Sequence, residues 1–515
     1  MSNIKEAKED VGFDPIKKEE VGPGEITGEI RDIGADLYAE VGQLTPEELE
    51  REGAEVRKLL DWRILPVLYL TYVMQYLDKL SLNYASAYSL IPDLGLEGQR
   101  YSWVAAVFNF GYLFWAVPSN LMIQRLPLAK YMGVVIIIWA GIVLAHIGAK
   151  NYAGILVLRF VLGMAEACVS PCMMNFTSMF YKRSEQPLRM AFWLSGNGMA
   201  TMIGALLGFG LGHSHNTSLA SWKLIFLTIG LMNLVTGCLF LWLMPDSPAT
   251  AKFLNHRQRI VAVQRVSENM IGVKTKQFKF RQALEIFSDL KVLCVLGIGI
   301  GCGVVNGGVS NFASSLIKGY GFSGIYATLL QLPTGAIEAV VVPICGLIST
   351  YVKDSRCIVL AVVCLIPFAG LLGIRFTDIE HRWTLVGCTW LQYIIGAPVI
   401  ISWNLLSTNV GGHTKRSFAN GFWFTLYAGG NVAGANIFFA HEAPRYYSAL
   451  AGLLACYAGM IVLVLVAYVA MKFDNNRREK NVPDGLTDEQ RAEAAVLDGF
   501  KDMTDKESKN FRYAL

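Results

Sequence analysis

Charge is what this chain has little of. Only 17% of its 515 residues are charged while 53% are hydrophobic, a balance that excludes an ordinary soluble enzyme and fits a protein immersed in lipid. A mean hydropathy of +0.39 agrees. The ten cysteines form no CxxC or Cys/His spacing; most sit inside apolar runs, as at Cys168, Cys172, Cys238, Cys302 and Cys364, and read as small packing residues. No metal site and no cofactor is expected. No nucleophile–base spacing is present either, so an enzyme is not expected. The net charge of +4 is small for the length, and nucleic acid is not an expected partner. Met1 to Leu60 is polar and acidic, leaving no cleavable signal peptide, so the first apolar run is expected to serve for insertion.

What is there is a series of apolar runs, each long enough to cross ~30 Å of hydrocarbon. They fall at 62–84, 101–121, 130–149, 152–176, 188–211 and 222–244, and again at 291–314, 324–349, 356–374, 382–405, 418–440 and 447–472. Two sets of six parted by a polar segment indicate an internal duplication of the transporter kind. The expected fold is an all-α membrane protein of twelve transmembrane helices in two pseudo-symmetric six-helix bundles. Its parts are a tail with a short helix (1–60), a first bundle (61–244), a central loop (245–290), a second bundle (291–472) and a closing tail (473–515). Thr45-Pro46-Glu47-Glu48 reads as a capping box with proline at the first helical position, and Thr487-Asp488-Glu489-Gln490 as a second cap.

Loop charges set the orientation. One side carries Arg125 and Lys130, Lys182 and Arg183, the cluster from Lys252 to Arg281, Lys353 and Arg356, and Lys415 and Arg416; the other has mainly Arg100, Lys150, Lys318, Arg375, Arg382 and Arg445. Both termini are therefore expected in the cytoplasm. The sequon Asn216-Thr217-Ser218 falls in a short outer loop, where glycosylation is not expected.

Charges inside membrane spans mark transport pathways more often than packing. Arg159 and Glu166 lie seven apart on one face of the fourth span, and Gln75, Asp78, Lys79 and Asn83 recur at helical spacing in the first. At 1.5 Å per residue Asp78 lies ~24 Å from the start of its span and Arg159 ~10 Å from the outer start of its own, a similar depth. The four charges form an electroneutral cluster. With both carboxylates ionised they neutralise Lys79 and Arg159; one proton leaves a positive site for an anion, so proton and anion affinities rise together. The alternative is a salt-bridge network that only locks helices. The second half offers neutral donors at Asn306, Ser310, Asn311, Gln331, Asn404, Tyr427 and Asn431, and one unpaired acid, Glu338; Tyr72, Tyr76, Trp193 and Trp403 are candidate pocket walls. Glycines at 204, 208 and 212 and at 297, 299, 301 and 303 permit close helix contact, and the histidines, including His146, His213, His381 and His441, fall near span ends and form no set.

Several motifs then converge on one family. Leu77-Asp78-Lys79 with Tyr84-Ala85-Ser86, Pro118-Ser119-Asn120-Leu121 with Gln124-Arg125-Leu126-Pro127, and the Arg159, Gly163, Glu166, Pro171 pattern come from the first half. Pro245-Asp246-Ser247-Pro248, Gly307 to Phe312, Asn409 to Arg416 and Glu442 to Tyr446 follow. Together they resemble the major facilitator superfamily, its anion:cation symporters, and the fungal allantoate permease family, over about residues 60 to 472. The resemblance implies a monomeric proton-coupled carrier, commonly at the plasma membrane, that imports a small carboxylate such as allantoate, ureidosuccinate, nicotinate or pantothenate by alternating access. It implies proton coupling at Asp78 and Glu166 and substrate binding at Lys79 and Arg159. Gln75, Asn311, Gln331 and Asn431 are further substrate-contact candidates, and Arg125 and Arg356 candidate gating residues. Gln124 and Thr350 stand where the superfamily usually has an acid, so the usual ionic latch is not expected. Span five lacks the Gly-Pro pair of drug antiporters. The alternatives are an exchanger or uniporter, or a non-transporting nutrient sensor on the same fold.

Overall fold

A computed structural model describes residues 46–182, 185–212, 219–270, 279–352, 354–480, 503–508 and 511–515. The tail before Pro46, His213, the Asn216 sequon and the Thr487–Gln490 cap lie outside the described residues. The regular structure among them is helical throughout. Twelve helical spans run in chain order. In the first half they are Leu65–Ser86, Arg100–Arg125, Leu128–Gly148, Tyr152–Phe180, Leu188–Gly212 and Ser221–Leu243. In the second they are Leu290–Gly319, Gly324–Ser349, Arg356–Phe376, Arg382–Asn409, His413–Asn436 and Tyr447–Lys480. Ten of them are long and apolar enough by composition to cross a membrane; spans one and eleven are diluted by polar residues. Large side chains such as Phe114, Val117, Trp242 and Val469 point outward, as lipid-facing residues must.

The two halves repeat one another. Contacts of span one with five and six, of three with six, and of two with four recur as seven with eleven and twelve, nine with twelve, and eight with ten. The halves meet where five packs on eight, two on eleven and one on seven. Glycine permits the closest of these contacts: a Cβ on Gly163 would stand 2.0 Å from the Phe108 carbonyl oxygen in span two, and one on Gly434 2.0 Å from that of Val304 in span seven. Gly204 and Gly212 leave room for Tyr84 and Tyr88 of span one.

Span five is interrupted at Ser195 with no proline after it, and three further spans are broken four residues before a proline, whose ring excludes the carbonyl at that position from helical bonding. Span four splits after Glu166, with Pro171 following Ala167. Span eight splits after Leu329, ahead of Pro333, and span ten passes through a 3-10 stretch at Leu391–Ile395, ahead of Pro398. Broken helices of this kind bring polar groups to mid-membrane sites.

Both ends of the described chain gather at one face. The helix Pro46–Arg63 packs on the central helix His256–Met270, and Asp61 accepts from Arg189 Nη2 at 2.6 Å. In the second half Lys415 is fully buried and donates to Glu285 at 3.0 Å, Asp289 at 2.9 Å and Asp505 at 2.6 Å, tying the closing tail to spans seven and eleven. The tail is held further by Asn475 with Tyr513, Asn409 with Ala514, and the Arg356 amide with the Leu515 carbonyl. Burial alone would raise the Asp289 carboxyl, but the Lys415 ammonium outweighs it and holds the group below the usual carboxylate range. The Pro245–Pro248 motif finds its purpose here: Asp246 Oδ1 accepts from the Ala129 and Lys130 amides at 3.0 and 3.3 Å, capping span three from a distance in sequence.

Candidate functional site

A cavity of about 240 Å³ lies between the halves at mid-depth. From the first half Gln75, Lys79 and Glu166 line it, and from the second Asn306, Ser310, Glu338 and Asn431. Its walls are aromatic: Tyr72 and Trp193 meet edge to face at 4.8 Å, Trp423 and Tyr427 stack at 5.4 Å, and Tyr76 and Trp403 complete the lining. Lys79 Nζ stands 5.8 Å from the Tyr76 ring centre and, among the described residues, makes no ion pair. Asn431 accepts from Asn306 Nδ2 at 2.8 Å and donates to the Tyr427 carbonyl at 2.8 Å, so its amide is already engaged.

Asp78 and Arg159 take a different position. Both are buried behind the cavity wall, at 0% and 2% exposure. Asp78 accepts from Trp139 Nε1 at 2.7 Å and from Ser81 Oγ at 3.4 Å; Arg159 Nη2 donates to Ser81 Oγ at 3.2 Å, so the hydroxyl bridges the two charges. The guanidinium lies 5.6 Å from the Phe226 ring centre, and His146 stacks on that same ring at 5.0 Å. Glu166 connects the compartments, since it lines the cavity while its carboxyl adjoins that of Asp78. One Glu166 oxygen, Oε1, and the Arg159 Nε have no hydrogen-bond partner among the described residues. The helix break after Glu166 sits beside this junction.

Asn311 and Gln331 belong to a closure at the face opposite the termini. Asn83 Nδ2 donates to Gln331 Oε1 at 2.9 Å, Gln331 Nε2 donates to Ser314 Oγ at 2.6 Å, and the Ser314 amide donates to Asn83 Oδ1 at 3.0 Å. Tyr101 adds a bond to the Asn311 carbonyl at 2.7 Å. Span one thus lines the cavity as far as Lys79 and is sealed to the second half one turn later. Tyr393 lines the cavity and donates to Gln331 of this closure at 3.3 Å, while the lining residues Trp193, Ser195 and Trp403 lie toward the terminal face.

The two gating candidates do not meet across the halves. Arg125 is exposed, and Arg356 donates to Thr408 Oγ1 at 2.8 Å inside its own half. Sequence reasoning missed Trp139, Ser81 and the pairing of Asn83 with Gln331. A tryptophan or serine in an apolar span carries no periodic signal, and a contact 248 residues apart leaves none either. Asn404, one of the candidate neutral donors, is exposed and does not line the cavity.

Comparison with known proteins adds the context for this geometry. The sequence profile of the Major Facilitator Superfamily matches residues 68–435. An uncharacterized transporter of Schizosaccharomyces pombe is 35% identical over 472 residues, covering 91% of this chain and 87% of its own. The allantoate permease of Saccharomyces cerevisiae is 32% identical over 528 residues, covering 98% and 95%. Among solved structures, a D-xylose-proton symporter superposes with a TM-score of 0.61 at 13% identity, over 79% of this chain and 97% of that one, a likeness of fold.

Proposed function

The chain belongs to the Major Facilitator Superfamily of membrane transporters, and from that premise we propose that it is a proton-coupled importer of a small carboxylate. The observation that carries this reading is Lys79, a cation without an ion-pair partner among the described residues, facing an aromatic cavity with Glu166 on the same wall. A carboxylate entering the cavity finds one uncommitted positive charge. The relative named as an allantoate permease carries a carboxylate by its name, which favours the same class here.

Coupling follows from the junction at Glu166. Two adjoining carboxyl groups, Asp78 and Glu166, are arranged to hold one proton between them. With the proton absent, Glu166 draws on Lys79; with it present, Lys79 is released to the substrate, so each ligand favours binding of the other. Arg159 acts through Ser81 and Asp78 in this scheme, balancing the buried carboxylate rather than touching cargo. Gln75 and Asn431 are wall contacts, while Gln331 and Asn311 serve the closure. In this reading Arg125 and Arg356 act only when the terminal face closes. The proposed setting is a monomer in the plasma membrane with both termini in the cytoplasm, its cavity reached from that side.

Expression in a host lacking its own carboxylate carriers tests the reading. Accumulation of a labelled carboxylate is expected to be larger at acid than at neutral external pH and to collapse with a protonophore. Accumulation that ignores both, and instead requires a counter-anion inside, would establish exchange and sink the symport scheme.

A further inference from the structure

One charge in the cavity takes no part in that scheme. Glu338, on span eight, is 5% exposed and lines the cavity, yet its Oε2 has no hydrogen-bond partner among the described residues. Span ten packs beside its other oxygen: a Cβ on Gly396 would stand 3.2 Å from Oε1. Among the described residues no cation is in ion-pair contact with it. The groups that face it are the amide of Asn197, the hydroxyls of Tyr72, Tyr76, Tyr393 and Tyr427, and, from the opposite half, Lys79. A buried carboxylate on a cavity wall with an oxygen left unpaired is an acceptor short of a donor.

We propose that Glu338 is a specificity contact that accepts N–H donors from the end of the cargo remote from its carboxylate. The preferred cargo is then a carboxylate that also bears a ureido, amide or ammonium group. The inference rests on the reading of Lys79 as the carboxylate site. Lys79 and Glu338 belong to different halves, so a molecule with an anionic end and a donor end satisfies both at once and draws the halves together. A dicarboxylate of the same length sets its second charge against Glu338 and is rejected by like-charge repulsion. The aromatic walls suit a flat donor group, which buries its faces on rings while its edge reaches the carboxylate.

Two acids of nearly identical shape separate the possibilities: 3-ureidopropionate, and glutarate, in which a methylene and a carboxylate oxygen replace the two nitrogens. Each is titrated into the purified full chain, with ligand-dependent thermal stabilisation as the readout. Wild type is expected to bind 3-ureidopropionate about tenfold or more tightly than glutarate, the worth of a charge-assisted hydrogen bond. Glu338→Gln is expected to narrow that preference to about threefold or less, chiefly by admitting glutarate. Lys79→Gln is expected to weaken both acids together. Equal binding of the two acids by wild type overturns the inference without any variant and leaves the carboxylate reading standing; so does a preference that survives unchanged in Glu338→Gln. Failure of wild type to bind either acid overturns the carboxylate reading, and the inference falls with it.

Discussion

Glu166 is the residue through which the buried charges and the cavity communicate, because its carboxyl adjoins Asp78 on one side while facing Lys79's cavity on the other. Replacing it with glutamine keeps size and hydrogen bonding but removes the shared proton. Glu166→Gln is therefore expected to abolish concentrative, acid-stimulated uptake while leaving binding within about threefold, since Lys79 is then permanently released. Uptake against a gradient and a binding titration, measured on the same preparation, separate these two effects. Binding lost in step with accumulation would show that Glu166 is a cargo ligand instead. Lys79→Gln carries the opposite signature: an affinity loss of about tenfold or more, as expected for a charge-assisted bond, with the pH dependence of residual uptake retained. Trp139, which donates to Asp78 at 2.7 Å, separates positioning from chemistry: Trp139→Phe is expected to shift the pH midpoint of uptake with little change in affinity.

At the level of helices, much was readable because apolar length is a local signal. The twelve runs can be seen in the sequence, and the two-half repeat follows from counting; the breaks ahead of Pro171, Pro333 and Pro398 went unread. Lys79 and Glu166 were legible as cavity residues because charge in a span is rare. The separation of Asp78 from Lys79 was not, although they are adjacent: neighbouring helical positions point about 100° apart, and only the packing of spans three, four and six decides which one faces the cavity. Helix proximity was likewise hidden in single glycines. Spans five and eight belong to different halves, and a Cβ on Gly198 would stand 2.4 Å from the Gly335 carbonyl oxygen where they meet. Gly198→Ala is expected to disfavour this conformation by about 1–3 kcal/mol, the usual cost of overpacking, and so to slow uptake. Gly163→Ala, inside the first half, is expected to lower thermal stability by a similar amount in every conformation. Thermal unfolding and uptake rates, compared between the two variants, test that distinction.

For the molecule as a whole, the tail lock and the cavity respond to pH in different ranges. Asp289 is held below its ordinary value, so its contribution to stability is complete above about pH 4, where the unfolded carboxyl ionises, and is lost only as acid reaches its folded titration. The pairing of Asp289 with Lys415 therefore does not supply pH dependence near neutrality, and Asp505→Asn, which removes another of the bonds to Lys415, is expected to lower thermal stability while leaving the pH profile of uptake in place. The closure at the opposite face is what must open for alternating access. Gln331 bonds Asn83 at 2.9 Å and Ser314 at 2.6 Å, and its truncation leaves both groups buried and short of a partner in this conformation alone. At about 1–3 kcal/mol for a buried group left unsatisfied, Gln331→Ala shifts the balance toward the state open at that face by about fivefold to a hundredfold. Spin labels at the exposed Trp103 of span two and Trp383 of span ten report it, being on opposite halves at the closed face. Their separation is expected to lengthen in Gln331→Ala, and a distance distribution identical to that of the parent would show that the Asn83–Gln331–Ser314 set does not hold the face shut.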